Sequence, residues 1–180
     1  MDKDLKRVVR PGPAAEAAAL ASAWPSPEFE LIELLFFAYR DFVGEADRIL
    51  ARYGFGRAHH RVLHFVNRNP GLTIAALLDI LRITKQSLAR VLKELVDQKF
   101  IEVRAGKDDR RQRLLFASSK GLALAGELAG LQSRRVEAAL RAGSPAGREC
   151  VERFLFNLID ADARAEAKAL IGGAPVQDIR

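Results

Sequence analysis

The spacing of the apolar residues changes at about residue 100, and this change limits the possible folds more than any other feature of the chain. Upstream, apolar side chains recur every three or four positions from Leu31 onward, which predicts amphipathic helices. Residues 100–104 and 112–116 instead alternate like strands with one buried face. Helical spacing resumes after residue 118. We therefore expect a mainly α-helical fold with one small β-hairpin.

Two short helices are predicted directly before the hairpin. Thr73 has the position of an N-cap for the first, and Thr84 for the second, which would run to about Gln98. Only Arg82 and Ile83 separate the two periodic segments. Two helices joined by so short a turn, with the second basic on its outer side, form a helix-turn-helix. The hairpin beside it would be a wing.

The outer side of the second helix alternates long hydrogen-bond donors with small side chains. Arginine can bind guanine, glutamine can bind adenine, and an alanine methyl group can contact the methyl group of thymine. This pattern predicts that the helix reads base edges in a major groove. The alternative is an amphipathic surface helix whose charges only keep it soluble. The outward residues are Lys85, Gln86, Ala89, Arg90 and Lys93.

Positive charge is concentrated in the same part of the chain. The whole chain has a net charge of +6, and residues 82–113 hold ten cations and five anions. The predicted turn of the hairpin contributes Lys107, Arg110 and Arg111 to the cations. Two adjacent arginines suit the enhanced negative potential of a narrow minor groove. Double-stranded DNA is therefore the expected partner, with a merely solvated basic face as the alternative.

The remaining segments are predicted to be helical or flexible. The helix from residue 28 has an apolar stripe so wide that we expect a partner subunit to cover it. Leu122 and Val136 are among the inward residues expected of the helix after the hairpin, and a last helix should start at Ser144-Pro145 and end at Gly172-Gly173. The predicted segments are a flexible arm (1–27, with a short helical piece near 14–23), a dimerisation helix (28–56), a winged helix-turn-helix (57–118), two C-terminal dimerisation helices (119–173) and a tail (174–180).

Other classes of protein find little support in the sequence. The longest stretch without a charge has 11 residues, whereas a membrane-spanning helix needs about 20. The single cysteine, Cys150, cannot form an internal disulfide, which fits a reducing cytoplasm. No glycine-rich phosphate loop, nucleophile elbow or serine with a neighbouring base is present, so we expect no catalytic site and no cofactor.

The central third of the chain, Leu63 to Gly121, resembles the MarR family of winged-helix transcriptional regulators. The resemblance implies a two-fold dimer formed through the first and last helices and a pseudo-palindromic operator. It also implies a repressor that a small effector releases. The matching stretches are Arg68-Asn69-Pro70-Gly71-Leu72-Thr73, Ile83-Thr84-Lys85-Gln86-Ser87, Asp109-Arg110-Arg111 with Leu114-Leu115-Phe116, and Ser119-Lys120-Gly121.

The resemblance also implies residue roles. Its Asp-x-Arg wing signature falls on Asp109 and Arg111, with the arginine in the minor groove and the aspartate holding it. Two positions depart from the family: Arg82 stands where glycine is common in the turn, and Ala89 where threonine or serine is common. The residues expected to bind DNA are Thr84, Lys85, Gln86, Ser87, Ala89, Arg90, Lys93, Lys107, Asp109, Arg110 and Arg111.

An effector pocket is predicted between the first two helices. Small aromatic acids and phenols are the ligands that the resemblance implies, and Arg40 or Arg61 could pair with an anion. The pocket residues would be Phe36, Tyr39, Arg40, His60 and His64, although aromatic residues at this spacing also suit a core.

Three alternatives stay open. The winged helix could be a protein-interaction or antirepressor module without specific DNA binding. His59, His60 and His64 lie on one helix and could bind a transition metal, although a wet helix face or a pocket lining is the interpretation we favour, and no metal site is expected. Cys150, near a helix start, could sense oxidants or be an inert contact residue.

Overall fold

The computed structural model describes residues 12–16, 28–106, 111–143 and 147–172. The predicted fold class is confirmed, because helices predominate and one small antiparallel sheet accompanies them. The elements are α1 (Phe29–Leu50), α2 (Arg57–Arg68), β1 (Leu72–Thr73), α3 (Ile74–Leu81), α4 (Lys85–Asp97), β2 (Ile101–Ala105), β3 (Arg113–Ala117), α5 (Ser119–Arg141), α6 (Gly147–Asn157) and α7 (Arg164–Ile171).

Several predicted features lie outside the described residues. Of the arm, only residues 12–16 are described, and residues 13–16 form a helical turn. The predicted cap at Ser144-Pro145 and the tail also lie outside the described ranges. In the part of the chain that is described, no helix is both long enough and apolar enough to span a bilayer.

The chain divides into two compact units, Met1–Arg40 and Asp41–Arg180. In the first unit, the opening turns of α1 carry large apolar side chains that are exposed, with Leu34 at 61% and Phe36 at 69%. The second unit contains the hydrophobic core, to which α2, α3, α4, α5 and the three strands all contribute. Helix-turn-helix and wing therefore share one core. Its fully buried members include Leu63, Leu77, Leu88, Leu95, Phe100, Leu115 and Leu128.

The sheet has three strands in the order β1-β3-β2, one more than expected. Leu72 pairs with Leu115 and Thr73 with Leu114, so the residues expected only to start a helix also form a short strand. A two-residue strand has no period of its own, and only β3 reveals it. Thr73 still caps α3 as predicted, since its hydroxyl accepts a hydrogen bond from the Ala76 N–H at 3.1 Å.

The predicted buried face of β2 is largely wrong. Ile101 is buried, but the rest of the strand is exposed, including Val103, because β2 is an edge strand that continues past the core. The strand also begins one residue later than expected. The Phe100 N–H bonds to the Leu95 carbonyl and closes α4 instead of joining the sheet.

Two residues with left-handed backbone flank α4. Arg82 ends α3 with φ 49° and ψ 47°, so the short turn does require the conformation in which glycine is usual. Lys99 follows α4 with φ 62°. Within the described ranges they are the only non-glycine residues with positive φ. Each L-residue in this conformation costs about 1 kcal/mol or more.

Helix α5 begins at Ser119, three residues earlier than expected, because Ser118 caps it. The Ser118 hydroxyl accepts a hydrogen bond from the Gly121 N–H at 3.1 Å. Leu122 and Val136 were expected to face inward, and that is wrong, since both are exposed. An alanine-rich helix allows more than one apolar face, and the neighbours select one of them. The buried residues of α5 are Gly121, Leu124, Ala125 and Leu128.

The last predicted helix is interrupted. Helix α6 ends at Asn157, a short 3₁₀ turn spans Ala161–Ala163, and α7 follows. The Arg164 guanidinium donates to the carbonyls of Ile159 at 3.0 Å and Asn157 at 2.8 Å. These bonds satisfy carbonyl groups that a continuous helix would have paired with backbone N–H groups, which is why the helix can end there.

Gly121 is predicted to tolerate no side chain. A Cβ atom there would lie 2.1 Å from the Phe100 carbonyl oxygen, whereas a Cβ at Gly126 of the same helix would meet nothing within 4 Å. Gly121→Ala should lower the free energy of unfolding by about 1–3 kcal/mol through overpacking. Gly126→Ala should raise it by about 1 kcal/mol through helix propensity. Chemical denaturation measures both, and equal stability of the two variants would contradict this account.

Arg82→Gly is predicted to stabilise the fold by about 0.5–1 kcal/mol. It relieves the left-handed backbone, and the greater freedom of glycine in the unfolded chain offsets part of the gain. The exposed ion pair of Arg82 with Asp160, at 3.6 Å, contributes little. Arg90→Gly is the matched control, and inside α4 it should cost about 1 kcal/mol. Thermal and urea unfolding compare them. A less stable Arg82→Gly protein would show that the Arg82 side chain outweighs its backbone strain.

Candidate nucleic-acid interface

The N-terminus of α4 is fixed by a hydroxyl cap. The Thr84 Oγ1 accepts a hydrogen bond from the Ser87 N–H at 3.2 Å, and the Thr84 hydroxyl donates to the Ser87 Oγ at 3.0 Å. Both residues were expected to bind DNA, and both are exposed. Because the two hydroxyl groups bond to each other and the Thr84 oxygen also caps the helix, both side chains have defined positions in the absence of DNA.

The outward residues of α4 lie together on one exposed face. Lys85, Gln86, Ala89 and Arg90 are all exposed, while Leu88, Val91, Leu92 and Leu95 are buried on the opposite side. Helical geometry stacks residues four positions apart, so Lys85 with Ala89 and Gln86 with Arg90 form two adjacent columns on the exposed side. The structure therefore brings four of the predicted reading residues together.

Lys93 completes this face but has a partner on its own helix. Its ammonium group forms an ion pair with Asp97, one turn further along. The hydrogen bond that Lys93 donates to the Asp97 carboxylate, and the negative charge of Asp97, raise the pKa of Lys93. Because Asp97 offsets the Lys93 charge, this lysine adds less positive potential to the face than Lys85 or Arg90.

The wing is described at its base. Gly106 donates its N–H to the Gln112 carbonyl at 3.0 Å, which closes the hairpin, and Arg111 is exposed beside it. Lys107, Asp109 and Arg110 lie outside the described residues. Arg104 was counted in the basic segment without a role of its own. Its guanidinium lies 4.4 Å from the centre of the Phe116 ring and 2.9 Å from Glu102.

Two side chains of α2 hold the helix-turn-helix in place. Arg61 was predicted as an anion partner, and its Nη2 donates to the Leu81 carbonyl at the end of α3, 2.9 Å away. His59 is buried and bonds to Glu94 of α4, with 2.8 Å between Nε2 and Oε2. The three histidines were interpreted as part of a solvent-exposed helix face or a pocket lining, and for the buried His59 this is wrong. The partner lies 35 residues away, so no local pattern reveals it.

The remaining sites considered from the sequence are the effector pocket, a metal site on the histidines and Cys150. Phe36, Tyr39 and Arg40 belong to the first compact unit, and His60 and His64 to the second, so the effector pocket stays a prediction. Among the residues that the structure describes, no three or more His, Cys, Asp or Glu side chains are grouped so that they could hold a metal ion. Cys150 is exposed on α6.

Comparison with known proteins gives the family. The sequence model described as MarR family matches residues 53–112, from shortly after α1 to the residue before β3. The HTH-type transcriptional regulator PetP of Rhodobacter capsulatus is 44% identical over 139 residues, which cover 77% of this chain and 84% of PetP.

Solved structures show the same fold at low sequence identity. The crystal structure of MarR has a TM-score of 0.61 at 21% identity, covering 80% of this chain and 96% of that one. Streptococcus pneumoniae FabT in complex with DNA has a TM-score of 0.63 at 18% identity, covering 72% and 92%. A Listeria monocytogenes regulator complexed with 26mer DNA has a TM-score of 0.63 at 17% identity, covering 79% and 95%. Given the identity to PetP and the share of PetP that is covered, the chain belongs to the MarR family of winged helix-turn-helix transcriptional regulators.

Proposed function

We propose that the protein binds a specific double-stranded DNA operator as a homodimer and acts as a repressor in the cytoplasm. The observation that carries this proposal is the exposed polar face of α4, which starts at a well-capped helix end within a winged helix-turn-helix. FabT and the Listeria regulator, which share the fold, were solved as DNA complexes.

Each subunit would place α4 in a major groove. Arg90 and Gln86 have the hydrogen-bonding groups for guanine and adenine, and Ala89 can contact a thymine methyl group. Lys85, near the helix N-terminus with Thr84 and Ser87, suits a phosphate. Arg111 and the wing residues Lys107, Asp109 and Arg110 would engage the flanking minor groove.

The homodimer is supported by exposed apolar side chains within each compact unit. In the first unit they line α1 from Leu31 to Tyr39. In the second, four apolar side chains are between 44% and 55% exposed: Val151, Phe154 and Leu155 of α6, and Leu158 directly after it. Apolar surface of this extent usually marks a protein contact. A two-fold dimer would read a pseudo-palindrome.

A small aromatic or anionic effector is the second proposed partner. In this proposal Phe36 and Tyr39 supply aromatic surface, and Arg40 supplies a cation. Burial lowers the pKa of His60, and the neighbouring His64 lowers it further, while Asp47 raises it. Burial and then Arg68 lower the pKa of His64. Both imidazoles are therefore neutral at pH 7 and would offer hydrogen bonds, not charge, to such a ligand.

Selection of bound duplexes from a random DNA pool at about 0.15 M salt tests the proposed function, because screening weakens purely electrostatic binding there. We expect a pseudo-palindrome whose half-sites lie about one helical turn apart. A folded protein that enriches no sequence would instead favour the protein-interaction module.

Arg90→Ala and Arg111→Ala should each weaken binding to the selected duplex by about 1–3 kcal/mol, because each removes a base or groove contact. Fluorescence anisotropy measures this, and sedimentation confirms that the dimer persists. Arg141→Ala is the charge-matched control, since Arg141 is exposed at the far end of α5 and lies 3.9 Å from Glu137. If the two variants bind like this control, the reading surface is assigned wrongly.

Acidification should destabilise the protein through His60 and His64. Their lowered pKa values mean that the unfolded chain takes up protons first as the pH falls. Their contribution is thus complete above about pH 6.5 and is lost below it. His60→Gln and His64→Gln should each flatten the fall in unfolding free energy between about pH 6.5 and 5. An unchanged slope in both variants would contradict the pKa shifts.

A further inference from the structure

We propose that His59 is a positioning residue for DNA reading, which acts through Glu94 to orient α4. This inference rests on the proposed function, because it assigns the orientation of the reading helix to one hydrogen bond. His59 is on α2, and its hydrogen bond to α4 is made to Glu94, so its effect on DNA would be transmitted through the Glu94 carboxylate.

Both nitrogens of the His59 ring have partners. Nδ1 accepts a hydrogen bond from the Gly56 N–H at 3.1 Å, so the ring proton lies on Nε2. Nε2 in turn donates to the Glu94 Oε2 at 2.8 Å. The ring is stacked on Phe55, with centroids 4.6 Å apart and planes 11° from parallel. These three contacts leave the ring one position and one tautomer.

His59 is the exception in an otherwise apolar interior. Within the described residues it is the only buried residue that is polar or charged. A buried imidazole needs partners for both nitrogens, and a leucine would fill similar space without that requirement. A buried histidine at this position therefore indicates a role that apolar packing cannot supply.

The hydrogen bond between His59 and Glu94 constrains the orientation of α4 in a way that apolar packing does not. The contacts of Leu88, Val91 and Leu95 hold α4 against the core, but burial of apolar surface has no directional preference. A hydrogen bond fixes both distance and angle. Glu94 lies one turn after Arg90 on the same helix, so a bond that fixes the rotation of α4 at Glu94 also fixes the direction of Arg90.

A second bond joins the C-terminal end of α4 to the segment between α1 and α2. The Gln98 side-chain amide donates to the Tyr53 carbonyl at 3.2 Å. Glu94 and Gln98 are one turn apart, and their partners Tyr53 and His59 both lie at the junction of α1 and α2. The junction thus holds α4 at two successive turns, and Glu94 is the one nearer to the outward residues.

Replacements of His59 separate the two bonds of its ring. Glutamine places an amide N–H near the position of Nε2 and can still donate to Glu94. Asparagine places a carbonyl oxygen near Nδ1 and can still accept from Gly56, but it cannot reach Glu94. Both replacements lose the stacking on Phe55, so both cost some stability and each serves as the control for the other.

The readout is the ratio of affinity for the selected duplex to affinity for a scrambled duplex of the same composition. His59→Asn and Glu94→Ala should lower this ratio about tenfold, the value of one base contact, with little loss on the scrambled duplex. His59→Gln and Glu94→Gln, which keep the bond, should keep the ratio near that of the wild type. Glu137→Ala controls for the loss of a carboxylate, since Glu137 is exposed near the far end of α5 and lies 3.9 Å from exposed Arg141.

The outcomes separate this inference from the proposed function. A wild-type protein that prefers no duplex overturns both. A wild-type preference that survives in His59→Asn and Glu94→Ala overturns only the role of His59. Long-range ¹H–¹⁵N spectra give a check without DNA: we expect the Nε2–H tautomer in the wild type, with a shift in Glu94→Ala. The Nδ1–H tautomer would overturn the inference.

Discussion

The DNA-binding domain is assembled around Phe100. Its N–H closes α4 on the Leu95 carbonyl, and its own carbonyl accepts the Ser118 N–H at 3.0 Å, where α5 begins. Its ring packs edge-on against Tyr53 and Phe55, with centroids 5.2 Å and 5.1 Å away. The Lys120 ammonium lies 4.1 Å above the same ring. Phe100 thus joins the end of α4 to the start of α5 and to the segment between α1 and α2, and this close approach requires that residue 121 has no side chain.

Features that arise from neighbouring residues could be predicted from the sequence. Thr73 and Thr84 act as caps within three residues of themselves, and the alternation around Ile101 marks a strand wherever it lies. Arg82 stands where the family commonly has glycine, and the turn there has the left-handed backbone that glycine favours. Each of these depends on a few adjacent side chains and backbone groups, and each is found in the structure.

Features that depend on distant partners could not be predicted. Leu72 becomes a strand only because Leu115 lies beside it, and His59 is a core residue only because Glu94 faces it. The exposed positions of Leu122 and Val136 depend on which side of α5 the domain covers. In the candidate site, the exposed face of α4 follows from helical spacing, whereas what holds that face in place is tertiary and has no local signal.

The sheet order also has a consequence for synthesis of the chain. Strand β1 precedes the helix-turn-helix and pairs with β3, which follows it, so the pair Leu72 and Leu115 brackets both helices. The ribosome must therefore add about forty residues after β1 before this pair can form, roughly 2 to 9 s at ordinary elongation rates. Until then α2 and α3 lack the strand β3 that packs against them. The nascent chain would therefore contain the whole of α2, α3 and α4 before any strand of the sheet could find its partner.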